Sequence, residues 1–280
     1  MVKKIISYSY VYLILLLMYV PIFVLIAFSF TNATYIGEWN GFSFDLYAAL
    51  FKDKEIMVAL GNTLIIAFIS SIVSTLLGTL GAIGAFYSKK RARAALEGVN
   101  QIPVVNSEIV MALSLTVMFV FLGKHIFGDK IFSFWTLLVG HIVISAPFVY
   151  LNVKPKLQQM DPSLYEAALD LGASPRIALR KVLIPQIIPG IISGFLLAFT
   201  LSLDDFIVTA FTRGPGLLSG DAAIETLSTL IQAKLKKGPI PMNMRPLTTI
   251  IFLVVLLAAI ITTIVRNKAS KRTKVRKGRA

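Results

Sequence analysis

The chain has 280 residues, 56% of them hydrophobic, and a mean hydropathy of +0.78, which makes it more apolar than a soluble globular domain. This composition excludes an ordinary water-soluble protein and predicts that lipid is the solvent. The absence of cysteine excludes disulfides and thiolate metal sites, and we expect the net charge of +14 to mark the cytoplasmic side of a membrane rather than nucleic-acid binding.

Six apolar stretches predict an all-α polytopic membrane protein with six transmembrane helices. Each is near the roughly 20 residues that a helix needs to cross a bilayer core. In chain order they are a first run that ends near residue 30, then 59–87, 109–122, 131–153, 187–210 and 247–265. The first run is too long for a signal peptide and lacks a small-residue cleavage site, so we expect it to be retained. Six spans place both termini on one side of the membrane.

Glycine recurs near one face of the second stretch, at Gly78, Gly81 and Gly84. Small residues on a membrane helix allow the backbone of a neighbouring helix to approach closely. We therefore expect this face to pack against protein rather than lipid.

The distribution of Lys and Arg assigns the two sides of the membrane. The two termini and the segments 88–101 and 154–181 hold 19 of the 28 basic residues, and the opposite loops hold 9. By the positive-inside rule, this excess predicts a multi-pass protein of the cell membrane with cytoplasmic N- and C-termini. The tail 266–280 carries 8 of these basic residues, and we expect it to contact anionic lipid.

The segment between the fourth and fifth stretches begins with the pattern of a short amphipathic helix. Asp161 can cap this helix, with Pro162 at its first helical position. Gly172 can end it by taking the left-handed backbone conformation. Apolar residues recur at helical spacing along one face, at Leu164, Ala167, Ala168 and Leu171.

A second short helix is predicted to follow directly. Ser174 and Pro175 repeat the cap and the proline start, and we expect this helix to end before Pro185. The two helices would form a compact helix-turn-helix at the cytoplasmic surface. An apolar face that the bilayer does not need suits a groove of another protein, so the segment predicts a cytoplasmic partner.

The same segment resembles the EAA loop of the permease subunits of binding-protein-dependent ABC importers. The matching residues are Glu166, Ala167 and Ala168, then Gly172, then 182–185, which are Val-Leu-Ile-Pro where the family pattern ends Ile-x-Leu-Pro. Taken singly, Glu166 could be a solvated helix charge and Gly172 an ordinary helix stop; their spacing between two spans favours the motif. The ATPase-coupling residues that the resemblance implies are Glu166, Ala167, Ala168, Gly172 and Pro185.

This resemblance implies a type I importer permease fold over roughly residues 60 to 265. The corresponding domain division is an N-terminal span with the first external loop over 1–58, a permease core over 59–265 with its coupling loop at 161–185, and a basic cytoplasmic tail over 266–280. The chain itself would be non-catalytic. ATP and Mg would be bound by partner ATPase subunits, because the sequence contains no G-x-x-x-x-G-K-[ST] phosphate loop, and we expect no cofactor in this chain.

Two adjacent acids near the end of the fifth stretch, Asp204 and Asp205, are the candidate substrate-pathway residues. Carboxylates in or beside a membrane span are costly, so they indicate function by default, although a solvated helix end is the alternative. Adjacent helical positions point about 100° apart, so we expect one acid to face the pathway while the other caps, pairs or faces a neighbouring helix. A carboxylate there favours cationic cargo such as an amine over sulfate or phosphate.

The residues 202–206 and 212–216 around these acids are also similar to the second permease of spermidine/putrescine importers, the PotC-like group. This similarity implies a polyamine as cargo. It also implies four kinds of partner: an ABC ATPase dimer, a second permease subunit that is PotB-like or a second copy of this chain, an extracytoplasmic substrate-binding protein, and membrane lipids. No nucleic acid is expected.

Other functions remain open at this point. One alternative is an ABC importer permease for thiamine, ferric ion or amino acids, because these permeases share the coupling loop. Another is an ATP-independent channel or carrier, which would not need a coupling loop. A membrane-embedded enzyme is disfavoured because the sequence has neither H-E-x-x-H nor G-x-S-x-G. The two histidines, His125 and His141, offer little for a metal site.

Overall fold

The computed structural model describes residues 2–34, 37–124, 131–161, 163–214, 223–237 and 242–257. Within these ranges the regular structure is helical throughout, which confirms the predicted all-α class. The helices are α1 Val2–Phe28, α2 Asp45–Lys52, α3 Lys54–Tyr87, α4 Lys90–Val105, α5 Glu108–Leu122, α6 Phe134–Gln158, α7 Ser163–Asp170, α8 Pro175–Ala178, a π-helical turn Leu179–Leu183, α9 Ile184–Asp204, α10 Ile207–Thr212, α11 Leu227–Lys237 and α12 Met244–Leu257.

Four of these helical segments are long and apolar enough to cross a membrane: Tyr8–Phe28, Lys54–Tyr87, Phe134–Gln158 and Pro175–Asp204. A fifth span results if the bent pair α4 and α5 is counted as one. The predicted number of six is therefore not confirmed within the described residues. The last predicted span, 247–265, lies partly outside the described residues. The tail 266–280 lies wholly outside them.

The segment 88–101, predicted as a loop, is instead part of a helix. Lys90–Val105 is helical because its first half is rich in Ala, Arg and Leu, which are good helix formers. The helix turns by 109° into α5, and Ser107 caps α5 by accepting a hydrogen bond from the Val110 amide at 3.4 Å. The basic residues of this segment are thus carried on a helix.

The fifth predicted span is wrong at both of its ends. Helical structure starts earlier, at Pro175, and continues through Pro185, so the predicted stop before Pro185 does not occur. It ends earlier than predicted, at Asp204, because Asp205 has an extended backbone (φ −60°, ψ 122°) and a separate short helix, α10, follows.

The chain forms two compact units, one of Met1–Met57 with Lys234–Ala280 and the other of Val58–Ala233. Within the first unit, the Arg245 guanidinium donates to the carbonyl oxygens of Ala33 at 2.8 Å and Thr34 at 2.9 Å. The amide of Asn243 donates to Asp53 at 2.7 Å. The domain boundaries at residues 58 and 265 stay a prediction.

Within the second unit, close helix packing centres on Val149 of α6, which is fully buried. A Cβ added to Gly78 of α3 would lie 2.7 Å from the Val149 Cβ, and one added to Gly194 of α9 would lie 3.1 Å from the Val149 Cα. Helix α6 is thus held between glycines of α3 and α9. The predicted packing role is confirmed at Gly78, whereas a Cβ at Gly84 would meet no described heavy atom within 4 Å.

We expect Gly78→Ala to lower the thermal unfolding midpoint of the purified chain in detergent. The new methyl group would lie 2.7 Å from the Ala146 carbonyl oxygen as well as from the Val149 Cβ, and overpacking of this kind costs about 1–3 kcal/mol.

Gly84→Ala is the matched control, since it makes the same change on the same helix at an exposed position. Alanine gains up to about 1 kcal/mol over glycine in a helix interior, so this variant should unfold at the wild-type temperature or above it. Equal losses in the two variants would contradict the packing role of Gly78.

Candidate functional site

The helix pair between the two long spans begins at the predicted cap. The Asp161 carboxylate accepts a hydrogen bond from the Ser163 amide at 3.0 Å, which satisfies one of the free donors in the first turn of α7. Hydrogen bonds from the Ser163 side chain and backbone hold the pKa of Asp161 below its usual range. Asp161 is thereby confirmed as the cap, and Pro162 lies outside the described residues.

Gly172 ends α7 in the way that the sequence predicts. Its φ of +84° lies in the left-handed region, which a side chain would strain. Its amide donates to the Leu169 carbonyl at 2.9 Å, and the amide of Ala173 donates to the Ala168 carbonyl at 3.0 Å. These two bonds form a Schellman motif, so the turn between α7 and α8 has a fixed geometry.

The outer surface of α7 is exposed and carries both apolar and charged side chains. Leu164 is 47% exposed and Leu171 is 88% exposed, although both belong to the predicted apolar face. Glu166 and Ala167 are also exposed, and Ala168 is half-buried. The predicted coupling residues of α7 therefore lie together on a surface that this chain leaves largely uncovered.

Pro185 lies apart from α7, in the first turn of α9. Proline has no amide proton and its ring crowds the preceding turn, and here the π-helical turn Leu179–Leu183 precedes it. The wider turn keeps α8 and α9 continuous, so Pro175–Asp204 forms one span of 30 residues. Pro185 thus sits inside the helix that connects the exposed pair to the opposite end of the unit.

At the far end of α9, three carboxylates line one cavity of about 370 Å³. They are Asp204, Asp205 and Glu108 at the start of α5. The wall of the cavity also includes His141, Ser202 and Phe206. The described residues that line the cavity include no Lys or Arg, so its charge is acidic.

The two aspartates have different surroundings. The Asp205 carboxylate caps α10, because Oδ1 accepts from the Val208 amide at 3.3 Å and Oδ2 accepts from the Thr209 amide at 2.8 Å. Oδ2 also accepts from the Thr209 hydroxyl at 2.9 Å. Asp204 is exposed and lies on the cavity wall. The predicted pair is thus divided between a helix cap and a more open carboxylate.

Two residues of this site were not assigned to it from the sequence. The sequence predicts no role for Glu108, and His141 is predicted only to be a poor metal ligand. The signal for Glu108 was a carboxylate beside a long apolar run, which is costly in a membrane. The signal for His141 was a titratable ring in a stretch, 131–153, that contains no Asp, Glu, Lys or Arg. In the structure His141 lines the cavity and is 3% exposed.

Within the described residues, the structure holds no cluster of three or more His, Cys, Asp or Glu that could bind a metal ion. The expectation that this chain carries no cofactor stays a prediction.

Comparison with known proteins places the chain in a family. A family model described as "Binding-protein-dependent transport system inner membrane component" matches residues 74–275. The spermidine/putrescine transport system permease protein PotC of Escherichia coli strain K12 is 31% identical over 97% of this chain and 97% of its own length. The putrescine transport system permease protein PotI of the same organism is 31% identical over 80% of this chain and 77% of its own length.

Solved structures share the fold. A chain of the MetNI methionine ABC transporter superposes with a TM-score of 0.57 at 20% identity, covering 75% of this chain and 94% of its own length. A chain of a bacterial ABC transporter involved in the import of the acidic polysaccharide alginate superposes with a TM-score of 0.66 at 15% identity, covering 95% of this chain and 96% of its own length.

The family match spans most of the chain, the PotC similarity spans nearly all of it, and the helices superpose on importer subunits. These findings agree with the EAA-like pattern on α7. The chain therefore belongs to the binding-protein-dependent transport system inner membrane components and is a PotC-like ABC importer permease.

Proposed function

We propose that this permease carries polyamines such as spermidine and putrescine across the cell membrane. The main support for the proposal is the cavity at the end of α9, which is lined by the carboxylates of Asp204, Asp205 and Glu108. The names of the similar proteins PotC and PotI support the same cargo.

Acidic side chains around a partly enclosed cavity suit a cargo with several ammonium groups. The attraction between opposite charges grows as water is excluded, and carboxylates accept charge-assisted hydrogen bonds from ammonium groups. Phe206 also lines the cavity and presents an aromatic ring, which can add a cation–π contact. Sulfate, phosphate and other anions would be repelled by the same residues.

The exposed surface of α7 and its Schellman turn are proposed as the docking site for an ABC ATPase dimer. Leu164 and Leu171 are apolar residues of this surface, and Glu166 and Asp170 are its charges. The ATPase dimer would bind ATP and Mg, and this chain would do no covalent chemistry. The positive-inside distribution supports a cytoplasmic location for this surface and for both termini.

Two further partners complete the proposed importer. A second permease subunit, PotB-like or a copy of this chain, would supply the other half of the pathway. An extracytoplasmic binding protein would deliver the cargo at the end of α9 opposite to the helix pair. Closure of the ATPases would move the helix pair, and the continuous helix Pro175–Asp204 would transmit that movement to the cavity and alternate its access.

We expect Asp204→Asn to raise the KM for ATP-dependent spermidine uptake while the chain stays folded. The assay uses proteoliposomes that contain the chain, its co-purifying subunits and the loaded binding protein. A hydrogen bond to a charged group contributes about 1.5–3 kcal/mol, which corresponds to a KM increase of about 10- to 100-fold.

Asp205→Asn should behave differently, because an amide nitrogen in place of one carboxylate oxygen would face the two donors of Thr209 or the donor of Val208. We expect this variant to lose thermal stability as well as uptake. Glu38→Gln, which removes an exposed carboxylate outside the cavity, is the control and should leave uptake unchanged. Binding-protein-stimulated ATPase activity without spermidine uptake in the wild type would rule out the polyamine but keep the permease; the absence of both would favour an ATP-independent channel.

The turn after α7 gives a test of the docking site. Gly172→Ala should reduce recovery of the ATPase with the chain while membrane insertion stays intact, because a side chain at φ +84° costs about 1–2 kcal/mol and shifts the turn. Affinity purification followed by quantification of ATPase activity measures the loss.

Gly172→Asn is the matched variant, since asparagine enters the left-handed region more readily than other residues with a side chain. It should recover part of the ATPase that Gly172→Ala loses. Glu166→Lys, which reverses the exposed charge, should also reduce recovery. Normal coupling in both Gly172→Ala and Glu166→Lys would exclude α7 as the docking site.

A further inference from the structure

One buried imidazole joins the two sides of the helix break at Asp205. His141 of α6 is 3% exposed, and both of its ring nitrogens have partners. Nδ1 lies 2.6 Å from the Ser202 hydroxyl oxygen on α9, and Nε2 lies 3.0 Å from the Thr209 hydroxyl oxygen on α10. The ring therefore connects the last turns of the long helix to the short helix after the break.

The hydroxyl of Thr209 determines which ring nitrogen carries a proton. Its single hydrogen points to Asp205, with Oδ2 at 2.9 Å and the backbone carbonyl oxygen at 3.3 Å. A hydroxyl that donates its only hydrogen to one partner can only accept from the next. His141 must therefore donate from Nε2–H to Thr209.

Nδ1 of His141 accepts a hydrogen bond, so donation continues in the same direction through the ring. Ser70 of α3 donates to the Ser202 oxygen at 3.0 Å, so the Ser202 hydrogen is free to point to Nδ1. A neutral imidazole accepts at one nitrogen and donates at the other. One proton arrangement thus satisfies every member, and it runs from Ser70 through Ser202, His141 and Thr209 to the Asp205 carboxylate.

We propose that His141 is a positioning residue for cargo binding: as the neutral Nε2–H tautomer it orients the Thr209 hydroxyl, which holds Asp205 Oδ2 in place at the cavity. The proposal rests on the cationic cargo proposed above. It gives His141 a role that acts through Asp205 rather than by touching the cargo.

Protonation of His141 would disturb this arrangement in two ways. A hydrogen on Nδ1 would force Ser202 to accept from the ring, and the Ser202 hydrogen would then lose the ring nitrogen as its acceptor. The imidazolium would also place a positive charge 3.6 Å from Asp205 Oδ2. The charged groups around it are Asp205, Asp204 and Glu108, and the described lining residues include no basic one, so the added charge would compete with a cationic cargo.

Two amide substitutions separate positioning from a merely structural role. Glutamine at position 141 is long enough to place an amide nitrogen near the Nε2 position and donate to Thr209. Asparagine is shorter and reaches only towards Ser202. We expect His141→Gln to keep the KM for spermidine within about threefold of the wild type, whereas His141→Asn loses the held carboxylate and raises the KM by about tenfold or more.

Acid dependence is the second readout. In the wild type the KM should rise once the pH is low enough to protonate His141, and in His141→Gln this rise should be smaller at the same pH values. Equal KM values and equal pH profiles for His141→Gln and His141→Asn would overturn the positioning role.

Thr209 provides a matched pair for the same chain. Thr209→Ser keeps the hydroxyl and should retain the wild-type KM, whereas Thr209→Val removes it and should raise the KM as His141→Asn does. Because both changes break one chain, the double variant His141→Asn/Thr209→Val should be no worse than either single change. Additive losses would overturn the proposal.

A measurement without cargo or partners tests the proton arrangement itself. The chain has two histidines, so His125→Gln leaves His141 as the single histidine for ¹⁵N NMR of the labelled protein in detergent. We expect the Nε2–H tautomer at neutral pH, and a change in its nitrogen shifts in Thr209→Val but not in Thr209→Ser. An Nδ1–H tautomer or an imidazolium at neutral pH would overturn the inference. If the tautomer is found but the wild type shows no spermidine uptake, the proposed cargo fails, and with it the role in cargo binding.

Discussion

The interruption of helical structure at Asp205 sets the geometry of the candidate site. The Asp205 carboxylate accepts the first free amides of α10, and this cap ends the 30-residue span on the side of the cavity. Without the break, the fifth predicted span would continue as a regular helix to about residue 210, and its two aspartates would project from one helix about 100° apart. The cap instead gives one carboxylate a structural partner and leaves the other more open.

The polar groups behind this break are costly unless they are paired, because a low-dielectric interior penalises any unsatisfied donor or acceptor. Ser70, Ser202, His141 and Thr209 are all hydrogen-bonded to one another or to Asp205. They come from four helices, so the pairing also fixes how α3, α6, α9 and α10 meet at the level of the cavity. Val149, between the glycines of α3 and α9, also fixes how α3, α6 and α9 pack.

The helix pair and the cavity lie at opposite ends of one continuous helix. At about 1.5 Å per residue, the 30 residues of Pro175–Asp204 span roughly 45 Å. Pro185 does not interrupt this helix, because the π-helical turn before it absorbs the missing hydrogen bond and the bulk of the ring. A rigid connection of this kind is what an importer permease needs if partners on one side are to change access on the other.

Features that depend on neighbours within one turn of helix can be predicted from the amino-acid sequence alone. The Asp161 cap, the Gly172 stop and the helix start at Pro175 are all local, and the structure has each of them, although Ser174 makes no side-chain cap bond. Most of the apolar stretches form helices, but the number of spans and the ends of the fifth differ from the prediction. The site around Asp205 instead depends on how distant parts of the chain pack together. His141 bonds residues 61 and 68 positions away, and Glu108 reaches the cavity from a helix that turns by 109°. Such contacts leave no periodic signal in the sequence, because they depend on how separate helices pack and not on the spacing within any one of them.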